Sequence, residues 1–176
     1  SISMLMSGGS PSPANFKGMP PFRRDRPRAA ADWSFLKKLR NSWKGNLIVK
    51  GILDPKDARK IKDLGIDAVY VSGHGARQLD SLPAPITQLP KIRKAVGKSY
   101  PLIFDTGVRN GEDVVKAYAS GANFVMLGRP ILYALGADGE RGLKTIIHYI
   151  SKEIQVTLAQ IGLGKISEVN ENNLIK

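Results

Sequence analysis

The sequence contains no cysteine, which excludes disulfide bonds, thiolate metal sites and a cysteine nucleophile. Its two histidines, His74 and His148, are too few for a histidine-rich metal site, and we expect no metal. No segment approaches the roughly 20 consecutive apolar residues of a transmembrane helix. Acidic residues are also scarce, because 15 Asp and Glu oppose 27 Lys and Arg and leave a net charge of +12.

This positive charge favours anionic partners, among them phosphate groups, carboxylate substrates, nucleic acid and an anionic membrane surface. It does not choose between them, and a solvated basic surface would have the same composition. The chain begins with Ser1, and residues 1–6 lack the basic flank and cleavage pattern of a signal peptide. We therefore expect a processed, truncated or internal start and see no indication of secretion.

Two regions differ in composition. Residues 1–32 contain many Gly, Pro, Ser and Arg residues and no apolar period, which predicts a loop or arm. Its arginines, which either face an anion or are solvated, are Arg23, Arg24, Arg26 and Arg28. Residues 33–176 have the length of one domain with a sizeable core.

Helical and strand patterns alternate from residue 33 onward. Apolar runs predict strands over 46–52, 68–72, 101–105 and 124–127. Helical periodicity predicts helices from about residue 33 to 43, over 55–64, 85–96 and 111–120, and a long amphipathic helix over 139–161. The first strand is expected to be buried on both faces.

Alternating strands and helices are typical of right-handed βαβ units with a parallel sheet. Four such units make half of a (β/α)8 barrel, which in full needs about 250 residues. We therefore predict an α/β protein that is the carboxyl-terminal half of a TIM barrel, strands 5–8. Two unpaired sheet edges and an apolar inner face would remain, so we expect a partner to cover them.

Polar and glycine-rich groups follow each predicted strand. Ligands collect at the carboxyl ends of parallel strands, where these groups would meet. They are Lys50 with Gly51, the segment 72–77, the segment 105–109, and Gly128 with Arg129. Their convergence is the main indication of a binding site.

The individual residue types indicate two kinds of chemistry. Two glycines, Gly107 and Gly128, permit a ligand to approach the backbone closely. Two arginines, Arg109 and Arg129, supply guanidinium donors. The four residues either bind a phosphate group or are turn glycines with solvated arginines. His74, which either transfers a proton or is structural, lies three residues before an arginine. That arginine, Arg77, could hold a carboxylate bidentately. Lys50, near the end of an apolar strand, would require an anionic partner if buried.

Several strings resemble the carboxyl-terminal half of the FMN-dependent α-hydroxy-acid oxidase and dehydrogenase family, which includes glycolate oxidase, L-lactate dehydrogenase and flavocytochrome b2. The resemblance covers about residues 33–168, and its most specific string is HGARQLD within Val71–Asp80. The other strings lie in Ile48–Leu53, Asp57–Ala58, Asp105–Ala117 and Gly121–Gly142. It implies FMN-dependent oxidation of an L-2-hydroxy acid of the lactate or glycolate type to the 2-keto acid.

The resemblance also implies roles for residues. Lys50 would stabilise the negative charge of reduced FMN, and Ser72 would contact the isoalloxazine ring. His74 would be the active-site base, and Arg77 would hold the substrate carboxylate. The ribityl chain and phosphate would be bound by Asp105, Gly107, Arg109, Gly128 and Arg129.

Two positions depart from the family pattern. The family usually has Asn where this chain has Gly73, and a second glycine where it has Thr106. Glycine at 73 would loosen the loop that positions His74, and Thr106 places a side chain where the backbone would approach the cofactor.

The first four strands of the family have no counterpart before residue 32. We therefore predict an amino-terminal half-barrel on a separate chain, so that this chain is part of a split or cleaved enzyme. The resemblance further implies a homo-oligomer, tetrameric or octameric. It places the enzyme in the cytoplasm or at a membrane periphery, or in the mitochondrion for a flavocytochrome b2 relative.

Two other functions remain open from the sequence. The late-strand motifs also occur in other phosphate-binding barrels, such as inosine-monophosphate dehydrogenase-like or isoprenoid isomerase-like proteins. A non-catalytic basic fragment could bind an acidic surface, but no nucleic-acid module is recognisable, and we expect no nucleic-acid partner.

Overall fold

The computed structural model describes residues 32–77 and 79–174. The chain divides into two compact units, Ser1–Leu36 and Lys37–Lys176, and the sheet belongs to the second. The predicted arm over residues 1–32, with its four arginines, lies outside the described residues except for Asp32.

Helices and strands alternate through the described part of the chain. The helices are α1 (Trp33–Ser42), α2 (Pro55–Asp63), α3 (Pro85–Val96), α4 (Gly111–Ala119) and α5 (Arg129–Gln160). The strands are β1 (Ile48–Ile52), β2 (Ala68–Val71), β3 (Leu102–Phe104) and β4 (Phe124–Val125). Short 3-10 helices cover His74–Arg77, Ile166–Glu168 and Glu171–Asn173.

The strands form one parallel sheet in the order β1-β2-β3-β4. This confirms the predicted α/β class and the parallel sheet. The register aligns Lys50 with Tyr70, Tyr70 with Ile103, and Ile103 with Phe124. Because side chains alternate between the faces of a strand, these four residues share one face of the sheet.

Local signals explain where the helices begin and end. Asp54 caps α2 by accepting a hydrogen bond from the backbone N–H of Lys56, and Pro55 occupies the first helical turn. After α2, Gly65 adopts a left-handed φ of 72°, which ends the helix as predicted. Asn110 caps α4 through the backbone N–H of Asp113.

The core lies between one face of the sheet and the helices. Val69, Val71, Leu102 and Phe104 are buried at alternate positions of β2 and β3. They are covered by apolar side chains of the helices, among them Ala58, Ile61, Leu89, Ile92 and Val115. Tyr70 and Ile103, on the opposite face, are only half-buried. The sheet is therefore fully covered on one face alone.

The prediction that the first strand is buried on both faces is wrong for this chain. Ile48 is 47% exposed and no residue of β1 is fully buried. The physical reason is position, because β1 lies at the edge of the sheet and has a neighbouring strand on one side only. Phe124, in the opposite edge strand, is 56% exposed for the same reason.

The last long helix, α5, is interrupted by non-helical backbone at Asp138 and Gly139. Its second segment agrees with the helix predicted over residues 139–161, and its first segment, which starts at Arg129, was not predicted. Gly139 has a φ of 51°, a conformation that glycine adopts without steric cost, and this produces the kink. The turn-rich composition before residue 139 concealed the first helical segment.

Two glycines provide a test of the packing of α4 against α5. A Cβ at Gly111 would lie 2.5 Å from both Glu153 Cβ and Ile154 N, whereas one at Gly136 would have no neighbour within 4 Å. We expect Gly111→Ala to lower the free energy of unfolding by about 1–3 kcal/mol through overpacking. Gly136→Ala should raise it by about 0.5–1 kcal/mol through helix propensity. Chemical denaturation measures both, and equal effects of the two substitutions would contradict the described helix contact.

Candidate functional site

A cavity of about 560 Å³ opens at the carboxyl ends of the four strands. The residues that line it come from every strand end. They are Lys50, Tyr70, Ser72, Gly73, His74, Ala76, Asp105, Thr106, Gly107, Val108, Arg109, Met126, Leu127, Gly128, Arg129 and Leu132. Its volume lies within the range of small-molecule pockets, roughly 300–1,000 Å³.

An ion pair joins the first and third strands at this rim. Lys50 Nζ lies 2.9 Å from Asp105 Oδ2 and donates a hydrogen bond of 2.7 Å to Ser72 Oγ. The ammonium group also lies 4.2 Å from the centre of the Tyr70 ring, within cation–π distance. Asp105 is therefore an anionic partner of Lys50, although the Lys50 side chain is 42% exposed and does not meet the condition of burial under which a partner was predicted.

The Asp105 carboxylate is held in its charged form. Partial burial opposes ionisation, but hydrogen-bond donors outweigh that cost and keep the pKa of Asp105 below its usual value. The donors belong to Ser72, Lys50, Thr106 and Tyr70. The pKa of the Tyr70 hydroxyl is raised, first by its own burial and then by its hydrogen bond to Asp105, so it stays a donor at neutral pH.

His74 begins the 3-10 helix that directly follows β2, and its side chain is exposed at the cavity. The preceding loop is fixed at Gly73, whose backbone N–H donates a 3.0 Å hydrogen bond to Thr106 Oγ1. An imidazole that is accessible from a cavity can accept a proton near neutral pH.

Cationic and backbone donors collect beyond the third and fourth strands. Gly107 has a φ of 93°, and Arg109 is exposed at the same rim. Gly128 immediately precedes the N-terminus of α5, and Arg129 is its first residue. A helix N-terminus combined with two guanidinium groups favours a phosphate group.

The structure brings together most of the residues predicted from the sequence. Eight of the nine predicted site residues line the cavity: Lys50, Ser72, His74, Asp105, Gly107, Arg109, Gly128 and Arg129. The ninth, Arg77, ends the 3-10 helix, and its side chain lies outside the described part of the chain.

Sequence reasoning missed Tyr70 and did not assign Thr106 to the site. Tyr70 lies two residues before Ser72 in the β2 pattern, and the period of two in a strand places both on one face. That spacing could have identified it. The contacts of Thr106 come from backbone conformation and carried no sequence signal.

Comparisons with known proteins show which proteins this chain resembles. The family model of FMN-dependent dehydrogenases matches residues 6–176. L-lactate dehydrogenase of Caulobacter vibrioides is 45% identical over 142 residues, which are 81% of this chain and 37% of that protein. The solved structure of (S)-mandelate dehydrogenase, a monotopic membrane protein, is 40% identical with a TM-score of 0.77, and the match covers 82% of this chain and 38% of that one. A mandelate oxidase structure is 34% identical with a TM-score of 0.75, over 79% of this chain and 44% of that one.

The fold is a parallel α/β sheet with helices, and cationic side chains line a cavity at its strand ends. The chain belongs to the FMN-dependent dehydrogenase family. This membership confirms the predicted resemblance. The cofactor of the family, FMN, fits the side chains of the cavity, because two arginines and a lysine beside a carboxylate line the same space. The other phosphate-binding barrels considered from the sequence are not supported.

The chain spans less than half the length of these relatives. Within the described residues, no helix combines the length and the apolar character needed to cross a membrane.

Proposed function

We propose that this chain supplies the phosphate-binding and proton-transferring half of an enzyme that oxidises an L-2-hydroxy acid to the 2-keto acid. The observation that carries the proposal is the convergence of a lysine–aspartate pair, a histidine and two arginines on one cavity. Residues 33–176 would form the FMN-binding half-barrel, and residues 1–32 an arm.

Each cavity residue has a role in this proposal. Arg109, Arg129 and the backbone donors at Gly107 and Gly128 hold the cofactor phosphate, with support from the N-terminus of α5. Asp105 binds the ribityl chain and keeps Lys50 in place. The Lys50 ammonium stabilises negative charge on the cofactor, beside the Ser72 hydroxyl.

The reaction removes two electrons and two protons from the hydroxy acid. When bound, FMN would supply the acceptor for the two electrons and for one of the two protons. The His74 imidazole accepts the other proton, and Arg77 would hold the substrate carboxylate. The substrate hydroxyl carbon thereby becomes the carbonyl carbon of the 2-keto acid.

The experiment that tests this function is an anaerobic titration of the purified, flavin-loaded protein. We expect a yellow protein whose absorbance near the visible flavin maximum bleaches with L-lactate, glycolate or (S)-mandelate. D-lactate is the matched control, since it differs in configuration only. A protein that retains no FMN, or bleaches equally with D-lactate, would overturn the proposal.

The remaining barrel strands are part of the proposal. The exposed edge strands β1 and β4, and the half-covered face with Tyr70, Ile103 and Phe124, support closure by an amino-terminal half-barrel. That this half lies on a separate chain is the part of the proposal that mass spectrometry tests. Native mass spectrometry of the purified protein should detect a companion polypeptide and a tetramer or octamer of the complete unit. Detection of one longer polypeptide instead would contradict the proposal of a separate chain but not the proposed half-barrel.

We also propose that the assembled enzyme is peripheral to a membrane. The net charge of +12 supports attraction to anionic lipid, and one relative is a monotopic membrane protein. Co-sedimentation with anionic vesicles, lost at high salt and absent with neutral vesicles, is the expected result. Equal sedimentation with both vesicle types would contradict the proposed electrostatic attraction to anionic lipid.

A further inference from the structure

Thr106 has an unusual backbone conformation. Its φ is 78°, and among the described residues no other non-glycine residue has a positive φ. A left-handed φ is a genuine outlier for a β-branched residue such as threonine. Strain of this kind persists only where surrounding contacts determine the conformation, and it is frequent at functional sites. The contacts of Thr106 are therefore informative.

The Thr106 hydroxyl joins two strand ends. It accepts a 3.0 Å hydrogen bond from the backbone N–H of Gly73, in the loop after β2. It donates a 2.8 Å hydrogen bond to Asp105 Oδ1. The other oxygen of the same carboxylate contacts Lys50 Nζ in β1. One hydroxyl thus connects the loop that leads to His74 with the Lys50–Asp105 pair.

The Thr106 methyl group occupies the space that a side chain at position 73 would need. A Cβ at Gly73 would lie 3.1 Å from Thr106 Cγ2 and 3.1 Å from Pro85 Cγ. These distances are shorter than ordinary van der Waals contact between carbon atoms. Pro85 opens α3 and is buried, so it cannot move away easily. A side chain at 73 and the methyl group at 106 would therefore crowd each other, and one of them would have to move by a few tenths of an ångström.

We propose that Thr106 is a positioning residue whose hydroxyl ties the loop carrying His74 to the Asp105 carboxylate, and that glycine at position 73 leaves room for the Thr106 methyl group. Gly73 and Thr106 then act as one unit. The hydrogen bond that Thr106 Oγ1 accepts from the Gly73 N–H restrains the loop that glycine would otherwise loosen. The effect on catalysis rests on the proposed function, whereas the coupling of the two residues does not.

A double-mutant cycle in thermal unfolding tests the coupling. Gly73→Ala should lower Tm by about 2–4 °C more in the wild-type background than in the T106G background, because the opposing methyl group is gone. T106S removes the same methyl group and keeps the hydroxyl. In this second background, too, Gly73→Ala should lower Tm less than it does in the wild type. Additive changes in both backgrounds would overturn the proposal.

The positioning role is tested by kinetics of the holoenzyme. Thr106→Val removes the hydroxyl and keeps the shape, and we expect kcat to fall about tenfold with little change in KM. Thr106→Ser should restore kcat to near the wild-type value. Thr145→Val is the matched control, because Thr145 is exposed on α5 and outside the cavity.

Equal kcat values for the T106V and T106S enzymes would overturn the positioning role. If every protein, including the wild type, bound FMN and failed to oxidise any hydroxy acid, the proposed function would fail instead. The unfolding cycle would still decide whether Gly73 and Thr106 are coupled.

Discussion

Replacing His74 with glutamine should lower kcat for the oxidation of the hydroxy acid by about 10²–10⁴-fold, the usual contribution of a general base. The amide of glutamine can still form hydrogen bonds at the cavity rim, but it cannot accept a proton near neutral pH. FMN affinity should change little, because in our proposal the phosphate is held by residues after the third and fourth strands. Stopped-flow measurement of flavin bleaching, with a parallel binding titration, separates the two effects.

His148 supplies the matched control. It is the other histidine of the chain, is exposed on α5 and lies outside the cavity. His148→Gln should leave both bleaching rate and FMN affinity at the wild-type values. An H74Q enzyme that retained more than about a tenth of the wild-type rate would exclude His74 as the base.

Replacing Lys50 with methionine should weaken FMN binding by about 10- to 100-fold. The substitution keeps an unbranched side chain of similar length but removes the cation that contacts both Asp105 and Ser72. The expected range follows if Lys50 donates one hydrogen bond to the bound cofactor, because a hydrogen bond to a charged group contributes about 1.5–3 kcal/mol, or roughly 10- to 160-fold in affinity. The pKa of the Asp105 carboxyl should also rise, because one of its donors is lost. Fluorescence titration with FMN measures the affinity.

Lys116→Met is the control for the loss of one positive charge. Lys116 Nζ lies 2.7 Å from Glu112 Oε1, but the two side chains are 55% and 59% exposed and lie on α4. Exposed pairs of this kind contribute little, so FMN affinity should be unchanged. Equal losses of affinity in the K50M and K116M proteins would indicate a general effect of net charge and contradict a specific role for Lys50.

The α/β class and the parallel sheet were predictable because the sequence features that start and end each helix agree with the tertiary structure. Asp54 followed by Pro55 starts a helix through local hydrogen bonding, and Gly65 ends it through a conformation that needs no neighbour. The site was predictable for a related reason. Parallel strands all point the same way, so residues that follow them in sequence must meet at one edge.

The errors arose where the tertiary environment differs from the local pattern. The apolar composition of β1 suits a strand with neighbours on both sides, but β1 is at the sheet edge and Ile48 is half exposed. The segment of α5 before the kink contains Gly136, which reduces helix propensity, and this segment is seen only in the structure.

By itself, the sequence determined the alternating elements, the strand ends that carry the polar groups, and the family, because each of these depends on residues that are neighbours along the chain. Only the tertiary structure decided that Asp105 is the partner of Lys50 and that Tyr70 faces the same cavity. It also decided that Thr106 lies against Gly73. These contacts join residues 20 to 55 positions apart, and their distances depend on the register of the sheet and on one left-handed backbone conformation, neither of which a linear pattern specifies.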